Sequence, residues 1–205
     1  KFGQRAVVRT GLALETIAVA GLAVMLSLTI TGWTIAGWLF VYGLGVGMAT
    51  AQLSSVIMSD VPPAQGGQAS GLQSTVRQLG SALGIAVLGT LLVTSLGTGL
   101  SDRLASGPTA TMPAAAQAQI VEIVRGSAGA AIPALAQDPR TAPAADIARA
   151  AMVDASRRTA GFAAGALALG LLATIALPKP LRADEDPHLA TAGALEVPEG
   201  EALGA

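Results

Sequence analysis

Residues 62–96 read PPAQGGQASGLQSTVRQLGSALGIAVLGTLLVTSL, and the fold class turns on them. The stretch opens as a polar turn, in which Pro62 and Pro63 remove two backbone donors and Gly66-Gly67 permits a sharp reversal. From Gly71 to Leu96 it is almost entirely apolar or small, and at about 1.5 Å per residue it is long enough to cross a hydrocarbon core of ~30 Å. One arginine, Arg77, stands inside it. An arginine at the centre of a bilayer costs roughly 2.5–3.5 kcal/mol or more, so a span that keeps one is expected to use it. The rest of the chain reads as what holds this segment in a membrane.

The composition points the same way. The chain is 52% hydrophobic and 12% charged, with a mean hydropathy of +0.59, whereas soluble domains carry about 25% charged residues. A net charge of −1 argues against nucleic acid as a partner. The absence of cysteine excludes disulfides, thiolate catalysis and cysteine metal sites. The one histidine, His188, falls in a charged tail and reads as a solvated residue. There is no Ser-His-Asp pattern in a plausible context, no His/Glu metal spacing and no phosphate loop. No metal, no cofactor and no enzymatic reaction is therefore expected.

Working outward from residues 62–96, three further apolar segments appear. Upstream, residues 33–58 form a span with Trp33 and Trp38 near its start, where indoles favour the interface. Residues 6–28 form another, entered through the basic KFGQRAVVR. Downstream, residues 159–177 are just long enough to cross, and Pro178 and Pro180 stop them. The expected fold class is an all-α polytopic membrane protein with four transmembrane helices, at about 6–28, 33–58, 71–96 and 159–177. The chain opens on Lys1 rather than Met, and its first apolar segment is too long for a signal-peptide core. A C-terminal piece of a longer polypeptide is the expectation.

Residues 97–158 differ in kind. They are rich in Ala and Pro, and from Leu100 to Arg158 they hold six arginines and five acids. Pro113 to Arg125 reads as a short amphipathic helix, with Pro113 in its first turn, Gly126 as its stop, and Ile120, Val121, Ile123 and Val124 as its apolar side. A second helix is expected to start near Thr141 or Pro143 and to run into the last span. On it Asp154 is placed to support Arg157 and Arg158 at i+3 and i+4. Residues 178–205 are charged and Pro-containing, and are expected to form a disordered tail.

Four spans put both ends on one side. Lys1, Arg5, Arg9, Lys179 and Arg182 favour the cytoplasm for that side. The six arginines of the long loop favour the reverse, but long loops weigh little in this rule and the loop's charges nearly balance, so ends-inside is the expectation. The turn at 59–67 is then cytoplasmic and the 97–158 loop faces outward. The expected location is the inner or plasma membrane.

Four intramembrane polar residues are candidates for function. Arg77 lies about ten residues, or ~15 Å of helix, past the Gly66-Gly67 turn. It either faces a central cavity or anchors the inner end of its helix, with Gln73 one turn before it and Asp60 the nearest acid on that side. Glu15 is either a protonatable intramembrane acid or a group that pairs with a neighbouring helix. Gln52 and Gln73 either bind polar substrate atoms or bridge helices. Among the glycines, Gly43 and Gly47, Gly80 and Gly84, and Gly161 and Gly165 repeat at four residues and present bare faces for helix packing. The run Gly43-Leu44-Gly45-Val46-Gly47 is no dinucleotide fingerprint, since no strand precedes it and its spacing is wrong.

On these residues the chain resembles the C-terminal end of a major facilitator superfamily transporter, and more narrowly the fourteen-span drug:proton antiporters of the EmrB/QacA type. The resemblance is strongest over Gly67 to Thr90, GQASGLQSTVRQLGSALGIAVLGT, where Thr75, Arg77, Gln78, Gly80, Ala82, Gly84 and Gly89 fit the pattern of that family's penultimate span. KFGQR resembles the end of its cytoplasmic basic loop, and Gly43 to Gly47 resembles its Gly-rich span before the double-proline turn. The resemblance implies proton-coupled efflux of drugs or amphipathic small molecules by alternating access, with the four spans as the eleventh to fourteenth of the whole transporter. It implies that the second and third spans approach the central cavity, which favours Gln52, Gln73 and Arg77 as cavity residues over Glu15 as a proton carrier. The implied partners are the bilayer, a small-molecule substrate, protons and the N-terminal part of the same transporter. The motifs assigned to proton coupling in that family belong to its N-terminal half and are absent here. The competing expectations are a self-contained four-span scaffold or partner-binding protein, and an exporter of one specific metabolite.

Overall fold

The computed structural model describes residues 4–58, 61–106 and 108–176, and within them the structure is helical. Six α-helices follow in order: α1 Gln4–Met25, α2 Gly32–Met58, α3 Gly66–Ser106, α4 Ala114–Gly126, α5 Ile132–Leu135 and α6 Ala142–Ala176. A single 3-10 turn, Pro63–Gln65, leads into α3. Four of these, α1, α2, α3 and α6, contain stretches long and apolar enough to cross a membrane. The expected all-α polytopic architecture is therefore observed. Residues 178–205, including His188, lie outside the described residues, as does Asp60.

α1 and α2 form a tight hairpin joined by a turn in which Ile30 N–H donates to Ser27 O at 3.3 Å. α6 packs on α1. Arginine side chains tie this pair near both ends of the shared span. Arg9 Nη2 donates to Thr174 O at 3.0 Å. At the other end, Arg157 Nε donates to Ala23 O at 3.3 Å and its Nη2 to Val24 O at 3.4 Å. Ala23 and Val24 lie in the last turn of α1, whose carbonyls have no intrahelical partner, and a cation there also meets the negative end of the helix dipole. The contacts at 9/174 and 157/23 fix α1 and α6 as antiparallel neighbours.

Two helices run well past their expected spans. α3 continues to Ser106, ten residues beyond Leu96, and its 41 residues reach roughly 60 Å, about twice a hydrocarbon core. α6 begins at Ala142, close to the start expected from Thr141 or Pro143, and runs unbroken for 35 residues into the last span. The physical cause is a change of solvent along one helix. From about Leu79 to Leu91 α3 is apolar or small on every side, with Leu83 66% and Ile85 73% exposed. Beyond that it becomes amphipathic, and Leu96, Leu100 and Leu104, spaced one turn apart, are fully buried.

Those three leucines belong to a helical cap. They pack with Ile120 and Val124 of α4, Ile132 of α5, and Ala144, Ala148, Ala151 and Ala155 of α6. The alanines form a low ridge that lets the leucine ridge of α3 approach closely. α4 matches the expected amphipathic helix. Ile120 and Val124 are buried and Val121 is partly buried against the core, whereas Ile123 points outward. The chain leaves α4 through Ala128 (φ 49°) and Gly129 (φ 88°), both left-handed. Gly129 N–H reaches back to Val124 O at 2.8 Å, a helix-ending turn that favours glycine.

Asp154 corrects a local expectation. It does not reach along its own helix to Arg157 or Arg158; it forms an ion pair with Arg103 of α3. The reason lies in the packing, since the α3–α6 contact brings a cation across to Asp154 while Arg157 is turned toward the end of α1.

Candidate functional site

α1 and α2 approach each other closely at two glycines. A Cβ on Gly11 would lie 2.7 Å from both Gly45 O and Ala49 N, and one on Gly45 would lie 2.7 Å from Gly11 O. Neither position admits a side chain without moving backbone. On the same pair, the indole of Trp38 lies so close over Gly21 that a Cβ there would come within 2.3–2.7 Å of three of its ring carbons. By contrast, no described atom lies within 4 Å of a Cβ built on Gly43, Gly47, Gly80, Gly84, Gly161 or Gly165. The Gly-rich run of α2 has glycines on alternate positions and so on more than one face. Within this chain α1 uses the face of Gly45 and Ala49.

Glu15 sits in that seam. It follows Gly11 by one turn, it is 9% exposed, and a Cβ on Gly45 would lie 2.8 Å from both its Cγ and its backbone N. Among the described residues its carboxyl forms no hydrogen bond or ion pair. Arg9, the nearest cation upstream on α1, is engaged by Thr174 O instead. The small residues of the seam leave the Glu15 carboxyl enclosed between α1 and α2.

The second polar locus joins α2 and α3 near the turn between them. Gln73 Nε2 donates to Ser54 Oγ at 3.1 Å. This is one of few links between the two helices, which otherwise touch little. Arg77 follows Gln73 by four residues and so lies on nearly the same face of α3. It is exposed, and among the described residues it has no hydrogen-bond or ion-pair partner. Gln52 is half-buried on α2. It precedes Ser54 by two residues, about 200° around the helix, so the bond to Gln73 faces Ser54 toward α3 and Gln52 away from it. The structure thus brings Gln73 and Arg77 to one face, with Ser54 opposite, and places Gln52 and Glu15 elsewhere.

Ser54 was not singled out in the sequence, and neither were Gly11, Gly45 and the two arginine ties. Ser54 carries no signal on its own, because serines are common in such spans. Gly11 and Gly45 stand in different helices, and only their juxtaposition makes them a pair. Among the described residues no group of three or more His, Cys, Asp or Glu could hold a metal.

Comparison with known proteins gives partial likenesses. Over 69 residues, 34% of this chain, it is 39% identical to a "Probable actinorhodin transporter" of Streptomyces coelicolor, a match covering 12% of that protein. Over 68 residues, 33% of this chain, it is 37% identical to the "Tetracenomycin C resistance and export protein" of Streptomyces glaucescens, covering 13% of that protein. Over 62 residues, 30% of this chain, it is 39% identical to "Multidrug resistance protein Stp" of Mycobacterium tuberculosis, covering 12% of it. No family model matches the chain. No solved structure matches it either. The matched stretch spans about an eighth of the length of these curated relatives, and within it the chain is similar to proteins named for export and drug resistance.

Proposed function

We propose that this chain is the C-terminal part of a secondary active exporter of the major facilitator superfamily, of the fourteen-span drug:proton antiporter type, which extrudes drugs or similar amphipathic small molecules from the cytoplasm. The observation that carries the reading is the combination, in one chain, of four helices able to cross a membrane with a stretch similar to three named export or resistance proteins. The exposed apolar faces of α2 and α3 support it, since helices so bare are suited to a larger bundle. In this reading Gly43, Gly47, Gly80, Gly84, Gly161 and Gly165 pack against helices outside the described residues. Gln52, Gln73 and Arg77 line the substrate cavity, and Arg77 offers a fixed cation or donor to substrate or to an acid of another helix. Protons are the coupling ion, with Glu15 a candidate carrier, and both ends of this stretch lie in the cytoplasm.

The test is efflux of ethidium from cells that express the full-length protein and lack their own exporters, with Arg77→Ala beside the wild type. Loss of a charge-assisted contact worth about 1.5–3 kcal/mol is expected to slow efflux roughly tenfold or more at unchanged expression. Normal efflux by Arg77→Ala removes Arg77 from the cavity. The intact mass of the natural product decides between this reading and a scaffold protein. A species near the 20.2 kDa of this chain favours the four-span scaffold, and one about two and a half times heavier or more favours the exporter.

A further inference from the structure

Beyond the spans, α3 and α4 diverge around an open groove of about 370 Å³. Its α3 wall presents Thr94, Thr98, Ser101 and Asp102, and its α4 wall presents Glu122 and Arg125. Two partly buried valines, Val93 and Val121, give it apolar surface. The volume lies within the range of small-molecule sites, and the lining is more polar than that of most of them, with six polar or charged residues beside the two valines.

Gly97 lets Arg125 lie against α3 on one side of the groove. A Cβ there would lie 3.0 Å from Arg125 Cδ and 3.5 Å from its Cγ, so the arginine stem lies flat against the α3 backbone. Its guanidinium is then occupied by Glu122, through Arg125 Nη2 donating to Oε2 at 2.8 Å. That pair is neutral. Asp102 is different: it is exposed, and among the described residues its carboxylate has no hydrogen-bond or ion-pair partner, although its backbone oxygen accepts from Ser106 Oγ at 2.7 Å. Two acids against one arginine leave the groove with one negative charge in excess. The side-chain hydroxyls of Thr94 and Ser101 are likewise unengaged among the described residues, whereas Thr98 Oγ1 is bound to its own helix at Thr94 O, 3.0 Å away.

We propose that this groove is an outer binding site for amphipathic organic cations. Asp102 meets the cationic group, Val93 and Val121 take the apolar body, and the hydroxyls of Thr94 and Ser101 bond its polar substituents. The identification of the ligand as an exported compound rests on the efflux reading. The site itself rests on the groove and on its unpaired carboxylate.

The probe is ethidium, a permanent cation with a flat apolar body, titrated by fluorescence into the purified full-length protein in detergent micelles. Asp102→Asn is expected to weaken binding about three- to fivefold, the reach of one partly exposed charge contact, and to remove the salt dependence that the wild type shows. Asp102→Glu is expected to bind as the wild type does. Should Asp102→Asn elute as an aggregate, Ser101→Lys gives the same reading, because a cation on the rim repels the dye. Superimposable titrations of the wild type and whichever of the two variants remains monodisperse overturn the proposal. The two readings fail separately. Binding that depends on Asp102 in a protein that does not export ethidium would remove the efflux reading and keep the site. Export with binding indifferent to Asp102 would do the reverse.

Discussion

Gly45 has no room for a methyl group, because a Cβ there would press on Gly11 O at 2.7 Å and on Glu15 N at 2.8 Å, both backbone atoms that cannot swing aside. Gly45→Ala is therefore expected to destabilise the α1–α2 hairpin by about 1–3 kcal/mol, the range of overpacked sites. Gly37→Ala, on the same helix with nothing within 4 Å, is expected to be neutral or to gain up to about 1 kcal/mol from helix propensity. Thermal unfolding of the two variants in the same detergent separates them, and equal midpoints would show that the seam is not tight. At this scale the sequence was partly legible. The polar residues stood out against an apolar background, and Arg77 and Glu15 could be named without coordinates. Which glycines touch could not be read, because alternate glycines from Gly43 to Gly47 offer several bare faces and the choice depends on where Gly11 arrives. Ser54 was hidden for the same reason, since its meaning comes from Gln73 on another helix.

Among the elements, the α3–α6 contact in the cap can be weighed by magnitude. The Arg103–Asp154 pair is visible, but each side chain is 42% exposed, and pairs so open to water contribute about 0–1 kcal/mol. Leu100 is fully buried in the layer of α3, α4 and α6 side chains. Truncating such a leucine costs about 2–5 kcal/mol. Leu100→Ala is thus expected to loosen the cap far more than Asp154→Ala. Amide hydrogen exchange over residues 92–126 measures the difference, and a larger effect from Asp154→Ala would mean the ion pair dominates. α4 was legible because Pro113, Gly126 and the apolar spacing between them are local signals. The overrun of α3 was not, because hydropathy falls after Leu96 while the leucine spacing that sustains the helix becomes meaningful only beside the alanine ridge of α6.

For the whole molecule, the orientation in the membrane is the largest open prediction. The chain has no cysteine, so single cysteines can be introduced cleanly if the full-length protein is likewise free of them or is made so. A membrane-impermeant maleimide added to intact cells is expected to label Ala118→Cys on α4 and to leave Ala64→Cys, in the turn before α3, unlabelled until the cells are opened. The opposite pattern would invert the topology and move the α3–α4 groove to the cytoplasmic side. The four spans were legible from length and apolarity alone, because a bilayer imposes both. The direct ties between α1 and α6 were not, since Arg9 with Thr174, and Arg157 with Ala23, join residues far apart in the chain.

The unbroken run of α3 has a mechanical consequence. It contains no proline from Gly66 to Ser106, and its helix is continuous across the junction between span and cap. A shaft of roughly 60 Å without a joint acts as a lever: tilting it by about 10° about its Gly66 end carries the Ser106 end sideways by about 10 Å. A small adjustment of pitch within the bilayer would thus arrive at Ser106 enlarged into a stroke the length of a side chain or more.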